Sequence, residues 1–140
     1  MKHTILLDTG PLVALLDRRD QWHDWAVNRM KEVRLPWLTT EAVITEACFL
    51  LARLPAALKQ IEAYARSGVL RLLPLTEHSL GTALALMQQY ANVPMSFADA
   101  SLVMHAEALR QTHLFTLDAD FAIYRRADGS PLPLLAPFAE

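Results

Sequence analysis

Thr4-Ile5-Leu6-Leu7-Asp8-Thr9-Gly10-Pro11, residues 4–11, is the stretch whose reading decides the fold. An aliphatic run too short for a helix ends abruptly on an acid, and a helix start follows at once. His3–Leu7 therefore predicts a buried strand. Pro11 then stands at a first-turn position, where its missing N–H and fixed φ suit a helix running through Asp17. A strand feeding directly into a helix is the opening of a βαβ unit, and so of a parallel sheet.

The rest of the chain repeats that alternation. Gln21–Val33 reads as a helix and Leu35–Leu38 as a short strand. Thr39 or Thr40 caps a helix to about Leu54. Pro55 starts another helix through Arg66, which Gly68 ends. Val69–Leu73 is a strand, followed by a helix from about Glu77 to Tyr90. Ser96 opens the helix Phe97–Arg110, and Leu114–Leu117 is a strand. Pro131, Pro133 and Pro137 leave room for one short edge strand around Leu134-Leu135. Strands alternating with helices predict an α/β fold, a parallel sheet covered by helices on both faces. The strand order is not readable in this way.

Composition narrows the functional classes. The 140 residues make one domain of ordinary size, 1–140, without repeats or linkers. Apolar residues are 53% and charged residues 20%, a greasy balance that predicts a well-buried sheet and an apolar surface for a partner. The formal charge of −2 announces no nucleic-acid binder. The solitary Cys48 excludes an intramolecular disulfide, and the five histidines lack zinc-ligand spacing. No leader and no run of about 18 apolar residues is visible, so a soluble, cytoplasmic protein without a membrane partner is expected.

Four acids stand out against that background. Asp8 closes the first apolar run, and Asp118 closes His113-Leu114-Phe115-Thr116-Leu117. Ligands of open α/β sheets bind at the carboxyl ends of strands, where both acids fall. Glu46 lies at the edge of a helical stripe formed by Val43, Ala47, Leu50 and Leu54, where an ionised group is costly unless paired or bound to metal. Asp99 precedes Leu102, Val103 and Ala106 at the spacing of a buried helix face. Each has an ordinary alternative. Asp8 and Asp118 suit helix caps, and Ser96 with Asp99 resembles a capping box. Asp120 reads more simply as a first-turn carboxylate meeting a helix dipole than as a fifth acid of the site. Together, the four form a trap for a hard divalent cation, which takes oxygen ligands.

Leu6-Leu7-Asp8-Thr9, Thr45-Glu46-Ala47, Phe97-Ala98-Asp99-Ala100 and Thr116-Leu117-Asp118-Ala119-Asp120-Phe121 resemble, in order and spacing, the four signature blocks of the PIN domain. The match covers nearly the whole chain and is nearest the VapC-type toxin ribonucleases of toxin–antitoxin pairs. That resemblance implies a three-layer α/β/α sandwich around a central, mostly parallel sheet. It implies that Asp8, Glu46, Asp99 and Asp118 hold Mg²⁺ or Mn²⁺ and hydrolyse single-stranded or loop RNA, with Thr116 at the family's hydroxyl position beside the fourth acid; Asp120 is a further supporting candidate. It further implies a homodimer and a cognate antitoxin protein.

Substrate grip has to come from outside the acids. Arg125 and Arg126, or Arg18 and Arg19, are candidates for flanking phosphates, although an ordinary solvated role is slightly favoured. Trp22, Trp25 and Trp37 suit base stacking less well than core or interface packing. A housekeeping RNA-processing or DNA-directed nuclease would carry the same acids. An aspartate-nucleophile phosphatase would want a second acid where Gly10 stands and would leave Glu46 idle. A non-catalytic interaction module would have no need to keep all four.

Overall fold

The computed structural model describes residues 2–140. Among them are five strands, β1 (Ile5–Leu7), β2 (Trp37–Thr40), β3 (Leu70–Leu73), β4 (His113–Phe115) and β5 (Leu134–Leu135). Six α-helices join them: α1 (Thr9–Leu16), α2 (His23–Arg29), α3 (Glu41–Leu50), α4 (Pro55–Arg66), α5 (Glu77–Gln89) and α6 (Phe97–Ala108). The strands form one parallel sheet in the order β3-β2-β1-β4-β5. β1 sits at the centre, and the chain reverses its direction of travel there, so the sheet's switch point lies between β1 and β4. No helix among the described residues is long and apolar enough to cross a membrane.

Strand alternation sorts the core into two halves. Leu6 and Leu114 point into one, packed with Leu102, Val103 and Ala106 of α6 and Ala83 of α5. Ile5, Leu7 and Phe115 point into the other, with Leu12 of α1, Ala47 of α3 and Ile61 of α4. Both faces of the central strands are thus covered, which explains why their sequences read as unbroken apolar runs. The α/β/α layering matches the expectation from sequence.

Local chemistry sets the element ends. Thr40 caps α3 through Val43 N, Thr76 and Ser79 make a reciprocal capping box on α5, and Ser96 accepts from Asp99 N on α6. Gly68 takes a positive φ of 81° just past α4, a conformation open to glycine.

Several expected elements are displaced. The helix expected over Gln21–Val33 begins only at His23, because Asp20 Oδ1 accepts from Trp22 N and holds a turn there. It tightens into a 3₁₀ turn at Met30–Glu32, after which Val33 pairs with His3. The strand expected at Leu35–Leu38 lies at Trp37–Thr40. Pro36 cannot donate to a ladder, and Trp37 N is the first to reach β3's neighbour Val69 O, at 2.7 Å. Trp37 packs against Tyr64 and Trp25 against Phe115, so both serve the core.

Leu114, fully buried between β1 and β5, tests the first half-core. Leu114→Ala is expected to lower stability by about 2–5 kcal/mol in urea unfolding, with the loss growing with the cavity left behind. A loss below about 1 kcal/mol would contradict the packing described.

Candidate active site: an acidic cleft at the sheet switch point

The carboxyl ends of β1 and β4 open into a cleft of about 450 Å³. Asp8, Glu46, Asp99, Asp118 and Asp120 all line it, with Thr9, Gly10, Ser96 and Leu117. They come from four segments far apart in the chain. Parallel pairing delivers two of them to one rim: Asp8 follows β1, Asp118 follows β4, and Asp8 N extends the ladder by donating to Phe115 O. No Lys, Arg or His is among the lining residues.

Two of the acids are buried and held. Asp8 is 6% exposed; its Oδ1 accepts from Thr9 N at 2.8 Å and its Oδ2 from Thr116 Oγ1 at 2.7 Å. Burial pushes Asp8 up to about 7, against the lowering effect of those two bonds, and the charges of Asp99 and Asp118 add to the rise. Asp99 is 9% exposed, and its Oδ2 accepts from the Tyr124 hydroxyl at 2.8 Å. Its carboxyl too is raised by burial, with Tyr124 pulling the other way. Asp99 also serves the helix start, as expected, through its own N–H to Ser96 Oγ. The capping role and the place in the cleft therefore coexist, because one uses the backbone and the other the side chain.

The other acids are more open. Asp118 is exposed and caps the 3₁₀ turn Ala119–Ala122 by accepting from Asp120 N. Asp118 N in turn donates to Thr116 Oγ1 at 2.9 Å. Asp120 is half-buried at the cleft edge, and its carboxyl is raised by desolvation and then by the charge of Asp118. Glu46 reaches the cleft, but not for the reason expected from its stripe. It is exposed, as is Leu50 at 61%, and the buried line of α3 is Val43, Ala47 and then Leu51. The helix ends at Leu50, so Leu54 never extends its face. Thr9 Oγ1 donates to Glu46 Oε1 at 2.9 Å and orients it.

None of the four candidate arginines lines this cleft. Arg18 and Arg19 are exposed on the turn after α1. Arg125 folds its guanidinium onto the carbonyls of Ala122, Ile123 and Tyr124, and Arg126 donates to Arg110 O. Both border a separate hollow between α5 and α6. Tyr124 escaped the sequence reading altogether, since nothing near it in the chain announces a partner on α6. Gly10 and Leu117 were also missed as site neighbours. A Cβ at Gly10 would stand 3.2 Å from Leu117 Cβ, so the two walls meet there because glycine has none.

Asp8 makes stability depend on pH in a stated direction. Its folded value lies near 7 and its ordinary value is 3.8, so between these the folded state holds the proton more firmly. Stability from this group therefore falls as pH rises from about 4 to about 7. The full displacement corresponds to on the order of 4 kcal/mol at most. Burial lowers His105 and His113, which gives the opposite slope, but that contribution cancels between wild type and Asp8→Asn. In chelator, urea melts should show the variant gaining on wild type across this window. Parallel profiles from pH 4 to pH 7 would show that Asp8 is not held as described.

A PIN domain family model matches residues 5–127. The fold is similar to that of the sarcin–ricin-loop-cleaving toxin VapC20 of Mycobacterium tuberculosis, with a TM-score of 0.77 at 22% identity over 86% of this chain and 94% of that one. It is also similar to a chain of a toxin–antitoxin complex from Klebsiella pneumoniae, with a TM-score of 0.66 at 18% identity over 85% and 91%. A third likeness is to VapBC2 from Rickettsia felis, bound to a promoter DNA fragment, with a TM-score of 0.59 at 13% identity over 95% and 98%. No curated protein matches the chain by sequence. With the family model spanning both acid-bearing strand ends and the two acid-bearing helices between them, the chain belongs to the PIN domain family.

Proposed function

We propose that this protein is a divalent-cation-dependent endoribonuclease acting on single-stranded or loop RNA, and the toxin of a toxin–antitoxin pair. The observation that carries the reading is the convergence of Asp8, Glu46, Asp99 and Asp118 on one cleft that no basic side chain lines. Asp120 borders the same cleft, and Thr116 supports it from behind through Asp8. Buried carboxylates without a counter-charge are costly, and Asp8 registers that cost in its displacement to about 7.

The donor set fits Mg²⁺ or Mn²⁺. Among the described residues no three acidic, His or Cys side chains stand close enough to hold an ion by themselves. Mg²⁺ does not require such a cage, because it keeps several waters and binds through one or two carboxylates plus substrate phosphate. Asp8 and Asp99 would hold the cation, with Glu46 and Asp118 completing the site from its open side. When bound, the cation supplies water activation near neutral pH and neutralises charge building on the phosphate.

The protein's own residues do the remaining work. Thr9 N and Thr116 fix both oxygens of Asp8, and Tyr124 fixes one of Asp99, so the inner donors need no reorganisation when substrate arrives. Exposed Glu46 and Asp118 flank the opening, each held on one oxygen, by Thr9 Oγ1 and Asp120 N, with the other oxygen placed to orient an attacking water. Attack by water, and not by the ribose 2′-hydroxyl, leaves a 5′-phosphate and a 3′-hydroxyl. The acids by themselves would repel the RNA backbone, so their charge has to be neutralised before a phosphate can approach. Phosphate grip by Arg18, Arg19, Arg125 or Arg126 would act beyond the cleft.

The protein surface offers room for partners. Phe49 is 81% exposed and Leu50 61%, one turn from Glu46, and Leu80 and Leu84 of α5 are also open. Apolar surface of this kind marks interaction sites. We read it as serving a homodimer and an antitoxin, one of whose arginines would meet the acids by charge-assisted hydrogen bonds.

Cleavage of single-stranded RNA is expected only with Mg²⁺ or Mn²⁺, and Asp8→Asn or Asp99→Asn should lower the rate at least about 100-fold with the fold retained. Robust cleavage in excess EDTA, or full activity in both variants, would sink the mechanism. Light scattering at micromolar concentration should report two chains, and a monomer would remove the dimer. An antitoxin that bound the Asp8→Asn, Asp99→Asn double variant undiminished would show that inhibition does not run through the acids.

A further inference from the structure

Tyr124 is fully buried, yet its hydroxyl is not left to the core. It donates to Asp99 Oδ2 at 2.8 Å, a bond that joins the segment after β4 to helix α6. The ring is fixed on two sides, edge-on to Phe121 at 5.3 Å and to Tyr90 at 5.0 Å. Tyr90 is itself anchored, since its hydroxyl accepts from Arg125 N at 3.0 Å. Two neighbouring aromatic rings and one backbone bond therefore hold a single hydroxyl against one oxygen of one carboxylate. Packing alone would be served as well by phenylalanine. A buried hydroxyl aimed at a carboxylate that lines a cleft is an orienting device.

We propose that Tyr124 is a positioning residue of the active site, holding the Asp99 carboxylate in the orientation that binds the divalent cation. The assignment rests on the cation-dependent reading given above. Tyr124 itself lies behind Asp99, outside the cleft lining, and acts only through that carboxylate. It parallels Thr116, which holds Asp8 in the same way from β4's end. The segment that carries Asp118 and Asp120 thus reaches back to orient both buried acids, one through Thr116 and the other through Tyr124.

Tyr124→Phe keeps the ring and removes only the hydroxyl. Mn²⁺ titration followed by electron paramagnetic resonance, on wild type and variant, reads the effect directly without any turnover. Loss of an outer partner of a metal-binding side chain is expected to weaken Mn²⁺ binding by about 10-fold or more. The metal-free melting temperature of the variant should stay within a few degrees of wild type. RNA cleavage should return close to the wild-type rate at saturating Mn²⁺, with the half-saturating concentration raised by the same factor as the affinity. Unchanged Mn²⁺ affinity in Tyr124→Phe overturns the assignment and leaves the cation-dependent reading standing. A fall in melting temperature with affinity retained makes the hydroxyl structural and also overturns it. Wild type that binds no Mn²⁺ overturns both readings together.

Discussion

The hydrogen bond from Thr116 Oγ1 to Asp8 Oδ2 spans 108 positions in sequence and 2.7 Å in space, at the seam between β1 and β4 where the strand order reverses. The rest of the site depends on it. Thr116 is fully buried, and its oxygen also accepts from Asp118 N, so one side chain registers both strand-end acids against each other. The bond is possible only because β1 and β4 run parallel with Leu7 opposite Phe115, which brings their carboxyl ends level. A one-residue slip of β4 along β1 would turn Phe115 to the wrong half-core and move Thr116 away from Asp8. Core packing and site geometry are therefore two consequences of the same register.

The cleft divides its acids by depth. Asp8 and Asp99 are buried, each held by a hydroxyl from the segment after β4. Glu46 and Asp118 are exposed, and Thr9 alone steadies Glu46 from the side. Fixed groups at the floor would reduce what must be ordered on binding a ligand, whereas exposed groups at the mouth can still adjust.

Much of this was legible before the structure. Asp8 and Asp118 announce themselves because a strand's end is also the end of an apolar run, a local property. Asp99 is legible because Leu102, Val103 and Ala106 follow it at helical spacing, and all three are buried, although α6 is in fact enclosed on every side from Ala98 to Val103. Glu46 was found through a stripe that does not exist in three dimensions: α3 stops at Leu50, and Phe49 and Leu50 face outward. Apolar periodicity cannot distinguish a face turned to the core from one left exposed. The strand order was unreadable because register is set by contacts between distant segments. Tyr124 was invisible for the same reason, as its partner stands 25 residues away on another element.

Gly10 carries a different consequence. It sits within the first turn of α1, although glycine is a poorer helix former than alanine. An alanine methyl there would stand 3.2 Å from Leu117 Cβ, tighter than ordinary contact, and Leu117 directly precedes Asp118. The helix thus forgoes its own best residue so that two cleft walls can touch. Anyone seeking a more heat-tolerant form by the usual replacement of helical glycines would meet an obstacle here. Gly81, on α5, has open space around it and accepts that change freely. At position 10 the same edit would bring a methyl to 3.2 Å from Leu117 Cβ, so the side chain next to Asp118 has to yield by a few tenths of an ångström, and the helix and the wall of the site are coupled at that single residue.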